Sequence, residues 1–124
     1  MKKIILASTA LSILILFAFM APQKKDITGH WVINYGKDEK ITIHFRTNGT
    51  FLSEIPAEHF IVAGEYKFKN DVLSISDTSC NKNYWGTYKA TFFTNDSVYS
   101  AVIEDSCQGR RSAADKATMI RVKM

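Results

Sequence analysis

The sequence predicts an all-β domain, an eight-stranded antiparallel up-and-down barrel, and three observations predict it. Apolar and polar residues alternate with period two, and no window of ten or more residues after the N-terminal run keeps a helical period. Tight-turn dipeptides recur between the alternating runs. About a hundred residues follow the N-terminal run, enough for one domain and not two.

The elements follow in order. An opening strand runs from about Gly29 to Tyr35. Ile41, Ile43 and Phe45 then alternate with Thr42, His44 and Arg46, and Asn48-Gly49 supplies a strong hairpin signal. Thr50 to Ile55 is the return strand, and Pro56 ends it. Ile61 to Lys69 and Val72 to Ser76 flank the turn Asn70-Asp71. Cys80 to Asn83 turns the chain into the aromatic strand Tyr84 to Phe93, with Gly86 as a bend or bulge. Thr94-Asn95-Asp96 leads into Ser97 to Glu104. Gln108 to Lys116 is a polar loop with room for a short helical turn, and Ala117 to Lys123 is the last strand. An open sheet of eight would leave two exposed edges, which closure removes.

The first residues have a different character. Lys2 and Lys3 precede the apolar run Ile4 to Ala21, which Pro22 breaks. Residues 1–21 read as a Sec-type signal peptide, with an uncleaved membrane anchor as the alternative. Residues 22–28 read as a flexible segment, and 29–124 as the domain. The expected location is extracytoplasmic, periplasmic or secreted, and membrane contact is expected only through the N-terminal run. With Lys2 and Lys3 set aside, 14 basic and 12 acidic residues leave a net charge of +2. The basic residues are dispersed, so nucleic acid is not an expected partner.

Cys80 and Cys107 are the two cysteines. Outside the cytoplasm they are expected to form a disulfide, worth roughly 3–4 kcal/mol in the chain-entropy account. Free or metal-binding thiols are the alternative, but two thiolates with no nearby His make a poor zinc site.

Gly29-His30-Trp31 resembles the Gly-x-Trp opening of the calycin group, which includes lipocalins, fatty-acid-binding proteins and avidins. Asp77-Thr78-Ser79-Cys80 with Gly86-Thr87-Tyr88, and Ile103 to Arg110, are similar to segments of short bacterial lipocalin-like proteins. The resemblance touches residues 29–31 and 72–111. It implies a small-molecule binding barrel in which Trp31 plugs one end and an Arg packs across it, with Arg110, Arg111 and Arg121 available. The chain is shorter than a typical lipocalin.

Eight strands enclose an interior just wide enough for side chains or one small ligand. Phe45, Phe51, Phe60, Tyr66, Trp85, Tyr88 and Tyr99 are the candidate ligand contacts, with core filling as the alternative for each. Gly29, Trp31, Cys80, Cys107, Asp105 and Arg110 are read as structural. Asp105 with Arg110 and Arg111 reads as an ion pair that pins the loop beside the disulfide; a rim gripping an anionic ligand is the alternative. His30, His44 and His59 lack metal-ligand spacing, and no cofactor is expected. No Gly-x-Ser-x-Gly occurs and no carboxylate pair has acid–base spacing, so no catalysis is expected. The expected function is binding of a small hydrophobic or amphipathic molecule. A protein-binding module, such as a periplasmic protease inhibitor using 22–28 as an arm, and an envelope protein without ligand are the alternatives.

Overall fold

A computed structural model describes residues 25–123, so residues 1–21, which the sequence reading assigns to a signal peptide, lie outside the described residues, as do residues 22–24 and 124. Period-two alternation becomes eight antiparallel strands: β1 (Gly29–Tyr35), β2 (Glu39–Phe45), β3 (Thr50–Ile55), β4 (Phe60–Lys69), β5 (Val72–Asp77), β6 (Gly86–Thr94), β7 (Ser97–Glu104) and β8 (Ala117–Val122). Each strand pairs with its sequence neighbour, and β8 returns to β1 to close the barrel. The closing seam pairs Trp31 with Arg121 and Ile33 with Met119. Closure gives every strand a partner on both sides, so no strand is an edge strand.

One face of each strand supplies the interior. Trp31 and Ile33, Ile41 and Phe45, Leu73 and Ile75, Tyr88 and Ala90, and Val98 and Ser100 are all buried. Their sequence neighbours point outward, as the pleat requires.

Turn chemistry matches the joints. Asn70 and Asp71 both adopt positive φ, the signature of a two-residue type I′ hairpin. The β2–β3 joint is longer than a two-residue turn. Asn48 Oδ1 accepts from the Thr50 amide and hydroxyl, and the Arg46 amide donates to the Thr50 carbonyl. A single 3-10 turn, Pro56–Glu58, separates β3 from β4. The polar stretch after β7 is a two-turn helix, α1 (Gln108–Ala114), too short for its periodicity to register in sequence. β6 begins at Gly86 rather than Tyr84, because residues 81–84 close a turn through Tyr84 N to Asn81 O. The disulfide joins Cys80 to Cys107, with Cα atoms 6.0 Å apart, and so ties the chain after β5 to the start of α1. Among the described residues, no helix is long and apolar enough to cross a membrane.

The barrel has two unlike ends. At the lower end, where β1 begins and β8 finishes, Trp31 is fully buried and its Nε1 donates to the Ile27 carbonyl at 2.8 Å. The Arg121 guanidinium lies 4.3 Å from the Trp31 ring centroid. Its nitrogens donate to the carbonyls of Thr28 (2.5 Å), Asp26 (2.8 Å) and Asn95 (3.1 Å), and it pairs with Asp96 at 3.1 Å. Of the three arginines available to cross the tryptophan, Arg121 is the one that does. Gly29 has φ +119, and a Cβ there would stand 2.7 Å from Arg121 Nη1. The glycine is therefore required twice, by its backbone and by the cation beside it. Residues 25–28, which the sequence assigns to a flexible lead-in, are held along this end. Ile27 is 2% exposed, and Lys25 pairs with Asp71 at 3.2 Å.

Arg121→Ala removes a cation–π contact and several hydrogen bonds, and is expected to cost about 2–3 kcal/mol in guanidinium denaturation. A loss under about 0.5 kcal/mol would show that Trp31 holds this end unaided.

Candidate functional site

The upper end is built from polar parts. Asp77 ends β5, Asp105 follows β7, and Arg110 is in α1. All three are at least nine-tenths buried. Arg110 Nε donates to Asp105 Oδ2 at 2.7 Å and Nη2 to Asp105 Oδ1 at 2.9 Å, a bidentate fork. Nη1 donates to Asp77 Oδ2 at 3.1 Å. The remaining acceptor positions are also used. The Tyr88 hydroxyl donates to Asp105 Oδ2, the Cys107 amide to Asp105 Oδ1, and the Ser79 amide and hydroxyl to Asp77 Oδ1. Among the described residues, no buried side-chain nitrogen or oxygen lacks a partner. A buried ion cluster persists only when its lone pairs and protons are satisfied in this way.

Gly86 makes room for the cluster. A Cβ there would collide with the Asp105 carboxylate and stand 2.9 Å from Arg110 Nη2. The sequence suggested a bend or bulge at Gly86; a register shift lies beside it at Thr87–Tyr88, and the glycine also lets the backbone approach a buried charge. Burial alone would raise the Asp105 carboxyl. Hydrogen bonds from Arg110, Tyr88 and the Cys107 amide outweigh it and hold that carboxyl below the usual range. The Tyr88 hydroxyl is pushed up, first by burial and then by its bond to Asp105.

Between this cluster and the Trp31 plug lies a cavity of about 370 Å³. Phe45 and Phe51 form its floor. Ile33, Ile41, Ile43, Ile55, Val62 and Ile75 form its walls. Its rim is Glu58 and Phe60 on one side, and Asp77, the disulfide, Arg110 and Ala113 of α1 on the other. The helix thus roofs part of an opening whose opposite end is shut. Phe60 is 48% exposed, an aromatic ring at the lip with no cover.

The sequence-predicted contacts separate into groups. Phe45, Phe51 and Phe60 meet at the cavity. Tyr66 lies on the far side of Phe45, ring centroids 4.8 Å apart, and its hydroxyl donates to the Arg46 carbonyl at 2.5 Å. It borders a second, polar recess beside Lys25 to Thr28. Tyr88 is inside but committed to Asp105. Trp85 precedes β6 on the outer wall, with Lys67 Nζ 4.4 Å above its ring. Tyr99 faces outward from β7 toward Phe93. Neither Trp85 nor Tyr99 borders the cavity. The aliphatic wall and Asp77 were not among the sequence-stated contacts. The inward alternation of β2 was a signal for the wall; nothing local linked Asp77 to Arg110, 33 residues on.

Register also joins two histidines that spacing keeps apart. His30 and His44 are cross-strand partners with rings stacked 3.8 Å apart on the outer face. Partial burial, then His30 and Arg46, pull the His44 pKa below its ordinary value. Among the described residues, no group of three or more His, Cys, Asp or Glu is placed to hold a metal ion.

Two outcomes follow from the cluster. Gly86→Ala is expected to lower stability by about 1–3 kcal/mol, because the carboxylate must move. Arg110→Met is expected to cost about 3–5 kcal/mol at pH 7 and to reverse the pH slope. In the wild type the Asp105 value is depressed. Its contribution is present above about pH 4 and is lost as pH falls through the lower folded value. In the variant the buried Asp105 carboxylate loses its cation, so its folded pKa rises. Stability is then highest near pH 4 and falls toward pH 7. Urea denaturation across that range checks both signs.

No family model matches the chain, and no curated protein or solved structure is similar enough to count as a match.

Proposed function

We propose that this chain is an exported, non-catalytic carrier of one small apolar or amphipathic molecule, a short lipocalin-like member of the calycin group. One observation carries the reading: a cavity of about 370 Å³, walled by aliphatic and phenyl side chains, open beside α1 and shut at the Trp31 end. That volume is within the usual range for small-molecule sites, and a barrel mouth is a usual place for one. A Trp on the first strand crossed by an Arg of the last is the arrangement the calycin resemblance implies. It supports that grouping. The disulfide supports a location outside the cytoplasm.

Binding rather than catalysis is favoured by the state of the polar groups at the rim. Asp77 and Asp105 are both tied to Arg110, and Tyr88 donates to Asp105. Neither carboxylate is poised to take a proton from a ligand, since each already accepts from two or more donors.

Ala113 faces the cavity from the roof helix and is half-buried. The neutral fluorophore N-phenyl-1-naphthylamine is expected to bind one per chain with a dissociation constant of about 1–10 μM. Ala113→Phe is expected to weaken that binding at least about tenfold while leaving the thermal midpoint within a few degrees. Unchanged affinity in the variant would place the fluorophore elsewhere and count against the carrier reading.

A further inference from the structure

We infer that the cavity selects an apolar ligand whose polar end is cationic or neutral, and discriminates against anionic amphiphiles; this rests on the carrier reading above. The charges that border the cavity are Glu58, Asp77 and Arg110, and among the described residues no other basic side chain lines it.

Among the described residues lining the cavity, Arg110 is the only cation a carboxylate or phosphate headgroup would find. Its Nε and Nη2 are forked onto Asp105 and its Nη1 is on Asp77, so two carboxylates already oppose one guanidinium. The fork is buried, with side-chain exposures of 6% for Arg110 and 0% for Asp105. To bind an anion, Arg110 would have to leave one of these partners and strand a buried carboxylate, which is strongly unfavourable. Glu58, exposed on the 3-10 turn across the mouth, adds a further negative charge. A headgroup seated among the lining groups therefore meets two carboxylates, Glu58 and Asp77, and one guanidinium already held by Asp105 and Asp77, in a recess where salt screens incompletely.

The chain as a whole points the other way. Its formal net charge is +4, so non-specific attraction would favour anions. A preference for cations would have to come from the rim itself. The same geometry explains why the alternative of an anion-gripping Asp105–Arg110–Arg111 rim finds no support. Arg110 faces carboxylates, and Arg111 is exposed and does not border the cavity.

Three probes with one alkyl chain separate the possibilities: decyltrimethylammonium, 1-decanol and decanoate, each titrated calorimetrically into the disulfide-bonded protein below its aggregation concentration, at pH 7 and low salt. Decyltrimethylammonium is expected to bind about tenfold tighter than decanoate, with 1-decanol between them. Glu58→Gln, a change at an exposed side chain of the rim, is expected to narrow that ratio about threefold, read between the two charged probes in the same variant. Decanoate binding as tightly as the cation, or more tightly, would overturn the charge selection and leave the carrier reading standing. If none of the three binds, the carrier reading falls and this inference falls with it.

Discussion

The Arg121 guanidinium lies over the Trp31 indole and gathers backbone carbonyls from Asp26, Thr28 and Asn95. The rest of the barrel depends on that contact. A meander of eight strands has two places where it comes apart, the seam between its first and last strands and the end where its chain enters. Arg121 sits at both. It belongs to β8, it covers the plug of β1, and it holds residues 26 and 28 against the barrel. A planar cation suits this position, because one face packs on the indole while the edge donates hydrogen bonds in several directions. With this end shut, the interior has one opening, and that opening is what gives the cavity a direction.

The other end is organised by different physics. There the chain buries three charges rather than an indole. Buried ion pairs are seldom a source of net stability, since desolvation offsets attraction. What they supply here is position. Arg110 draws together the ends of β5 and β7 and fixes α1 above the opening, and the disulfide holds the same two segments covalently. Tyr88 and Ser79 complete the hydrogen bonding, and Gly86 leaves the space. A short helix tied at its first turn in this way roofs the mouth without filling it. The aliphatic walls stop short of contact, and the space between plug and cluster remains open.

Most of the architecture is legible in the sequence because alternation and turn chemistry are local. Ile41, Ile43 and Phe45 announce a strand with one apolar face, and Asn70-Asp71 announces a hairpin. The disulfide was legible through the expected compartment and the small size of the domain. The site was legible only in part. Tyr99 and Trp85 read as inward because β7 and the approach to β6 carry apolar residues on both faces, Val98 beside Tyr99 and Trp85 beside Tyr84. Period alone does not say which face turns in. The Asp105–Arg110 pair was legible because the two residues are neighbours in sequence. Asp77 was not, since only the register of β5 and the path of the disulfide loop bring it to Arg110. The stacking of His30 on His44 likewise depends on pairing between strands.

The picture is a barrel with an apolar stopper at one end, a charged clasp at the other, and an oily space between them that the clasp leaves accessible. Native mass spectrometry of the protein isolated from its own cells tests this most directly. The account predicts one small molecule retained per chain under non-denaturing conditions and lost on unfolding, with the disulfide intact in both spectra. Identical bare masses before and after unfolding, from protein never exposed to extraction or detergent, would contradict it.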